Sequence, residues 1–227
     1  MGHRDESVHQ RLSLRFSRGT GRGLTVLCLG AHSDDVEIGC GGTVLKLIEE
    51  QEDLFFYWVV FSSDKSRRKE AQRSARAFLA GTRNKIIVKE FRDGFLPYDG
   101  RRIKEYFEGL KREFSPDLIF THYRSDLHQD HRLISDLTWN TFRDHMILEY
   151  EIPKYDGDLG SPNVFVQLKD SIRNRKIRYL LDYFDSQRGK PWFTQETFNA
   201  LMRLRGIESN SPHGYAEAFY CRKLILQ

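Results

Sequence analysis

The 227-residue chain contains few cysteines and no long apolar run, and each shortage excludes a class of protein. Its three cysteines show no C-x-x-C spacing, so the sequence does not indicate a zinc site built from thiolates. Their odd number and lack of pattern are typical of a protein in a reducing compartment. No apolar run approaches the ~20 residues that a bilayer span requires. The first residues also lack the apolar segment of a secretory signal. We therefore expect a cytoplasmic protein with no membrane span.

Nucleotide-binding motifs are also missing. The glycines in Gly39-Cys-Gly41-Gly42 follow a strand-like run, but G-x-G-x-x-G would require glycine at Val44. The acidic residues just before them would repel a pyrophosphate, and no Walker-type G-K-[ST] occurs. We expect these glycines to allow close packing of a helix on a sheet. The net charge of +4 does not by itself indicate nucleic acid, and we expect no such partner.

The composition, 39% hydrophobic and 30% charged, is that of a globular protein with a substantial core. We expect residues 1–22 to form a polar tail with a candidate edge strand at 12–16, and residues 23–227 to form one domain. Predicted strands are 24–30, 54–61, 85–91, 117–121, 147–152, 163–168 and 215–226. Predicted helices are 39–50, 67–79, 103–114, about 130–142, 171–184 and 194–205. This alternation predicts a Rossmann-like α/β three-layer sandwich with a mostly parallel sheet.

Two polar clusters follow apolar strands and are the most informative features of the chain. The run 24–30 is followed by His32, Asp34 and Asp35, and the run 117–121 is followed by a second His/Asp cluster at 122–131. Right-handed crossovers would place both strand tips on the same edge of the sheet. Ligands of open α/β sheets bind at the carboxyl ends of the strands. We therefore expect the active site there.

The two clusters together contain the donors of a catalytic zinc site. His32, Asp35 and His131 make a His₂-carboxylate set, which leaves one coordination position for water and lowers its pKa to about 7. Asp34 lies next to a ligand and is a candidate acceptor of the proton from that water. His128 precedes His131 by three residues and shares its helix face, so a protonated His128 is a candidate oxyanion stabiliser or amine protonator.

Simpler roles exist for the same residues. A histidine at a strand end is commonly just a surface residue, and an Asp-Asp pair that opens a helix often only caps it. Asp130 is a candidate helix cap or a hydrogen-bond partner behind a ligand. The presence of two such clusters at two strand tips favours the metal site over these separate roles.

The motifs resemble a known family. Ala31–Gly39 is similar to the A-H-P-D-D-x-E-x-G signature of the PIG-L/LmbE-like de-N-acetylases, and Asp126–His131 is similar to their H-P-D-H motif. Ser33 stands where proline is usual, which leaves the turn feasible, and Gln129 also replaces a proline. Weaker similarities follow in family order: R-x-x-E at 67–70, D-G-x-L at 93–96 and Y-A-E-A-F at 215–219.

The resemblance implies a zinc-dependent amidase, with zinc or another divalent metal as cofactor. It implies removal of acetyl from an N-acetylated amino sugar, such as an N-acetylglucosamine-type glycan precursor, glycoside or sugar nucleotide. The site residues are then the metal ligands His32, Asp35 and His131, the catalytic residues Asp34 and His128, the substrate-binding residues Arg67, Asp93 and Asp126, and Asp130 behind a ligand.

Other interpretations remain open at this point. The chain could deacylate a different N-acyl small molecule, or it could be a catalytically silent member that only binds a glycan. We expect Asp126 or Asp130 to hold the ring of His128 through its carboxylate. Residues 153–163 and 185–195 are candidates for a lid or a pocket wall, and the sequence gives no indication of oligomeric state.

Overall fold

The computed structural model describes residues 23–225, and these form an α/β fold around one seven-stranded sheet. The strands are β1 (Leu24–Gly30), β2 (Leu54–Ser62), β3 (Arg83–Phe91), β4 (Leu118–His122), β5 (Met146–Tyr150), β6 (Val164–Gln167) and β7 (Ala216–Tyr220). The helices are α1 (Asp35–Glu50), α2 (Lys65–Phe78), α3 (Gly100–Glu113), α4 (Gln129–Thr141), α5 (Asp170–Tyr183) and α6 (Gln195–Glu208). The strand order is β3-β2-β1-β4-β5-β7-β6.

The sheet is mostly parallel, which confirms the predicted fold class. Strands β3, β2, β1, β4 and β5 run parallel, and β7 and β6 continue the sheet in antiparallel pairs. Helices α1, α2, α5 and α6 contribute to the core on one face, and α3 and α4 to the core on the other. The three layers follow from this arrangement.

Strand β1 lies in the middle of the sheet and is buried on both faces, as its continuous apolar sequence indicates. Val26 and Cys28 belong to one core and Leu27 and Leu29 to the other. This period of two is that of a strand, whose successive side chains point to opposite faces. The carboxyl end of β1 therefore opens beside that of its parallel neighbour β4.

The glycines of α1 allow the helix to approach its neighbours closely, as expected. A Cβ on Gly39 would lie 2.1 Å from the ring of Tyr150 in β5, and one on Gly41 would lie 2.7 Å from Phe78 in α2. Such distances are far below ordinary van der Waals contact. Only glycine fits at these positions without displacing a buried aromatic ring.

Some boundaries differ from the predicted ones. Helix α1 begins at Asp35 and not at residue 39, because Asp34 is its N-cap residue and Asp35 and Glu37 lie in its first turn. Strand β7 ends at Tyr220, so the predicted strand 215–226 is too long. The polar tail and the strand predicted at 12–16 lie outside the described residues. Across residues 23–225, no helix has both the length and the apolar character that crossing a membrane requires.

Candidate metal centre

The candidate site forms where the first turns of α1 and α4 meet. His32 lies in the short turn between β1 and α1, and Asp34 and Asp35 begin that helix. His131 lies in the first turn of α4, which follows β4 after the loop 123–128. Because β1 and β4 are adjacent and parallel, both turns reach the same edge of the sheet. The fold thus brings the two sequence clusters together.

Three ligand atoms converge on one point in this site. His32 Nδ1 lies 3.1 Å from His131 Nε2 and 3.3 Å from Asp35 Oδ2, and His131 Nε2 lies 3.5 Å from the same oxygen. Donor atoms at tetrahedral angles and 2.0–2.1 Å from zinc are separated by about 3.3–3.5 Å. Two imidazole lone pairs this close also require a proton or a cation between them. The donor set therefore fits one tetrahedral divalent cation with a fourth position free.

Each imidazole has a carboxylate on its far side. His131 Nδ1 lies 2.9 Å from Asp126 Oδ2. His32 Nε2 lies 3.2 Å from Asp130 Oδ2 and 3.1 Å from Asp93 Oδ1. Metal-binding histidines typically bond a carboxylate in this way, which fixes the ring and directs the other nitrogen to the metal. This pattern would leave Nδ1 of His32 and Nε2 of His131 free to bind a cation.

The charges of the donor set also suit a cation. Burial would raise the pKa of Asp35, but the imidazoles of His131, His32 and His122 outweigh it and hold the pKa well below its usual range. Burial, with the neighbouring His122, lowers the pKa of His131 to about 4. Asp35 is therefore anionic and His131 neutral at neutral pH, as metal ligands must be. Burial lowers the pKa of His32, but the carboxylates of Asp35, Asp130 and Asp93 outweigh it and raise that pKa well above its ordinary value. A cation that binds there would therefore displace a proton from His32.

Asp34 lies beside the donor set and contacts Arg67. The guanidinium of Arg67 is 3.1 Å from Asp34 Oδ1 and 3.1 Å from Asp93 Oδ2, so it bridges the two carboxylates. Burial raises the pKa of Asp34, while the charge of Arg67 acts in the opposite direction. A hydrogen bond with His32 lowers the pKa of Asp93 to about 2. Asp93 is 57% exposed and is the acidic group that faces the solvent side of the site.

The ring of His128 is held differently from our expectation. Its Nδ1 accepts a hydrogen bond from the backbone N–H of Asp130 at 3.2 Å, as the cap of α4. Asp126 contacts only the backbone N–H of His128, at 2.8 Å. Burial and the charge of His32 lower the pKa of His128. The structure thus favours a neutral His128 ring with a proton on Nε2. The predicted alternative, an imidazolium held by a carboxylate, is not what these contacts show.

Asp126 lies behind His131 and not at the mouth of the site. Its side chain is 2% exposed. The contacts of Asp126 are with His131 Nδ1, the backbone N–H of His128 and Lys154 Nζ, and the substrate-binding role predicted for it stays a prediction. Asp130 lies behind His32 and accepts the backbone N–H groups of Gly94 and Leu96, at 2.8 and 3.1 Å.

Three residues near the site were not assigned from the sequence. His122 stacks on the ring of His131 with centroids 3.9 Å apart, and its Nε2 accepts the N–H of Ala31 at 2.9 Å. The hydroxyl of Tyr150 lies 3.2 Å from the same Nε2. Lys154 bonds Asp126. His122 stood in the second cluster and was visible as a strand-tip histidine, whereas Tyr150 and Lys154 carry no pattern that indicates the site.

The two predicted wall segments make different contacts. The first, 153–163, touches the centre through Lys154. The second, 185–195, docks on α2 through Ser186, which bonds Glu70. The charge of Lys190 in this segment acts on Asp34. The first segment thus contacts the buried part of the site, and a wall or lid role for either segment stays a prediction.

Comparison with a family model identifies the chain's relatives. The PIG-L family, described as GlcNAc-PI de-N-acetylase, matches residues 27–142, just over half of the chain. The chain belongs to the PIG-L family. The match includes both His/Asp clusters and every residue assigned to the site from the sequence.

Solved structures share the fold of this PIG-L protein at low sequence identity. The conserved protein TT1542 from Thermus thermophilus is 21% identical, with a TM-score of 0.68 over 90% of this chain and 97% of that one. N,N'-diacetylchitobiose deacetylase from Pyrococcus horikoshii, complexed with its inhibitor MPG, is 24% identical, with a TM-score of 0.62 over 87% and 83%.

A third similar structure has a different activity. GalB, the 4-carboxy-2-hydroxymuconate hydratase from Pseudomonas putida KT2440, is 16% identical, with a TM-score of 0.66 over 90% of this chain and 98% of that one. The fold therefore accommodates more than one reaction, and the reaction must be argued from the site.

Proposed function

We propose that this PIG-L protein is a metal-dependent hydrolase that removes the acetyl group from an N-acetylated amino sugar. The observation that carries the proposal is the convergence of His32 Nδ1, Asp35 Oδ2 and His131 Nε2 at 3.1–3.5 Å, with a carboxylate behind each imidazole. The family description and the chitobiose deacetylase support the same reaction class. Zinc is the cation that this donor set suits best.

A divalent cation held by these three residues would polarise the acetyl carbonyl and lower the pKa of a water molecule. The remaining chemistry belongs to the side chains around it. Amide hydrolysis needs a base to take a proton from the attacking water, stabilisation of the developing oxyanion, and a proton for the departing amine.

Asp34 is the base in this proposal. It lies next to the ligand Asp35, and its raised pKa makes it a better proton acceptor than an ordinary aspartate. Arg67 fixes the orientation of the carboxylate from 3.1 Å. As the tetrahedral intermediate collapses, the same carboxyl group returns its proton to the nitrogen while the C–N bond breaks, so that acetate and the free amino sugar are the products.

His128 stabilises the oxyanion as a neutral hydrogen-bond donor. Its Nδ1 accepts from Asp130 N–H, so Nε2 carries the proton, and the ring stands edge-on to His32 with centroids 4.9 Å apart. A donor fixed before the reaction is effective because it needs no reorganisation as charge develops. Asp93 is the exposed acid at the same edge, and its carboxylate would accept a hydrogen bond from a sugar hydroxyl.

The test is amine release from a panel of N-acetylated amino sugars, measured on protein of known metal content. We expect release of acetate and free amine from at least one member, loss of activity with a chelator and recovery with Zn²⁺. Tight binding without metal-dependent product would favour the silent glycan-binding interpretation. Turnover of other N-acyl compounds alone would support the wider amidase interpretation. Addition of water to an unsaturated acid, without amide cleavage, would place the chain with the hydratase.

A further inference from the structure

We propose that Lys154 is a positioning residue of the metal centre, which fixes Asp126 behind His131 and ties the segment after β5 to that ligand. The inference rests on the proposed metal site and deepens it. Neither of the two family motifs contains Lys154, and it lies 28 residues beyond Asp126 in the chain. Its role comes entirely from the contacts of its ammonium group.

The ammonium group of Lys154 has one acceptor for each of its three N–H bonds. It lies 2.9 Å from Asp126 Oδ2, 2.6 Å from Asp158 Oδ1 and 3.4 Å from the carbonyl oxygen of Ile152. The side chain is 10% exposed. A largely buried charge with a complete set of partners is held in one position, and its removal leaves the partner charges uncompensated.

Asp126 is the link between Lys154 and the proposed ligand. Its Oδ2 receives both Lys154 Nζ and His131 Nδ1 at 2.9 Å, and its Oδ1 accepts the backbone N–H of His128 at 2.8 Å. Without the ammonium group, the buried carboxylate loses its cationic partner and is free to turn away from the imidazole. His131 would then lose the bond that fixes its orientation toward the metal.

Asp158 extends the same network to the turn before α4. Its Oδ2 accepts the backbone N–H of Leu127 at 2.7 Å. Two consecutive N–H groups, of Leu127 and His128, are therefore held by two carboxylates, and Lys154 joins those carboxylates. One side chain thus fixes both the orientation of His131 and the turn that presents His128. The segment after β5 becomes part of the metal centre and not only its wall.

The test measures metal binding in the absence of substrate. The Zn²⁺ dissociation constant of the metal-free protein is determined by competition with a chromophoric chelator, and the visible spectrum of the Co²⁺ form reports the ligand geometry. Lys154→Met should weaken Zn²⁺ binding by about tenfold or more, as loss of such supporting partners does, and change the Co²⁺ spectrum. Lys154→Arg keeps the positive charge, and its Zn²⁺ dissociation constant should lie between those of the wild type and Lys154→Met.

Lys169→Met is the matched control. Lys169 forms a surface ion pair with Glu49 at 3.0 Å and is 54% exposed, so both readouts should equal those of the wild type. An unchanged dissociation constant and Co²⁺ spectrum in folded Lys154→Met would overturn the proposal while leaving the metal site intact. If Lys154→Met does not fold, the same two measurements are made on Lys154→Arg and Asp158→Asn. Wild-type values for both variants would then overturn the proposal. A wild-type protein that binds no Zn²⁺ would overturn both this proposal and the proposed function.

Discussion

Replacing Gly39 with alanine tests the packing that places the site. The new Cβ would lie 2.1 Å from Cδ2 of the Tyr150 ring, where ordinary contact begins at 3.4 Å. The ring must therefore move by about 1.3 Å. Tyr150 is fully buried, and its hydroxyl donates a 2.6 Å hydrogen bond to the carbonyl of Leu29 at the end of β1. Movement of the ring disturbs this bond and the nearby His122.

The size of the effect follows from three contributions. Overpacking of a core costs about 1–3 kcal/mol, and a weakened hydrogen bond costs about 0.5–1.5 kcal/mol. Alanine regains about 1 kcal/mol because it favours a helix over glycine. We expect Gly39→Ala to lower the free energy of unfolding by about 0.5–3.5 kcal/mol. At roughly 2–4 °C per kcal/mol for a chain of this size, the midpoint of thermal unfolding falls by about 1–14 °C.

Urea unfolding followed by circular dichroism measures the difference, and Gly109→Ala is its control. Gly109 lies in α3, and a Cβ added there would have no atom within 4 Å, so alanine should stabilise by about 0.4–1 kcal/mol. The same glycine-to-alanine substitution should thus lower the free energy of unfolding at position 39 and raise it at position 109. A Gly39→Ala protein as stable as the wild type would refute the packing of α1 on β5 described above.

Three further substitutions test the roles of buried polar groups. Asp34→Asn should retain Zn²⁺ by metal analysis while turnover falls about 10²–10⁴-fold, and near-normal turnover would reject the base assignment. His128→Ala should retain Zn²⁺ and lower kcat about 10²–10³-fold. Because its ring is neutral, the alkaline limb of the pH–rate profile should persist; a flattened limb would restore the role of an imidazolium acid. Burial raises the pKa of Glu37 well above its ordinary 4.5, so the stability it contributes is present below pH 4.5 and lost as pH rises. In chelator-treated protein, Glu37→Gln should therefore gain stability over the wild type with increasing pH, and urea unfolding that shows a constant difference would contradict this.

Much of the fold is predictable because its signals are local. The continuous apolar run of β1 and the helical stripes of α2 and α3 depend on neighbouring residues, and all three elements are present in the structure. The predicted boundaries of helices and strands were less accurate where residues of the site also begin an element. Helix α1 begins at Asp35 with Asp34 as its N-cap residue, so the acidic pair that marks the site also starts the helix.

The approach of the two clusters was predictable because topology alone produces it. Parallel neighbouring strands bring their carboxyl ends together, so His32 and His131 meet although 99 residues separate them. The hydrogen-bond partner of His128 was not predictable, because it is a backbone N–H and such donors carry no sequence signal. Lys154 was missed for a related reason: an irregular segment brings it to Asp126, and no periodicity describes that segment.

The central claim is that one divalent cation is bound by His32, Asp35 and His131. An anomalous difference map from crystals of the Zn²⁺-loaded protein, collected at the zinc absorption edge, tests it most directly. We expect one strong peak between His32 Nδ1, Asp35 Oδ2 and His131 Nε2, at about 2.0–2.2 Å from each. A peak held instead by His32 Nε2, Asp93 and Asp130, or no peak in this region at all, would contradict the account.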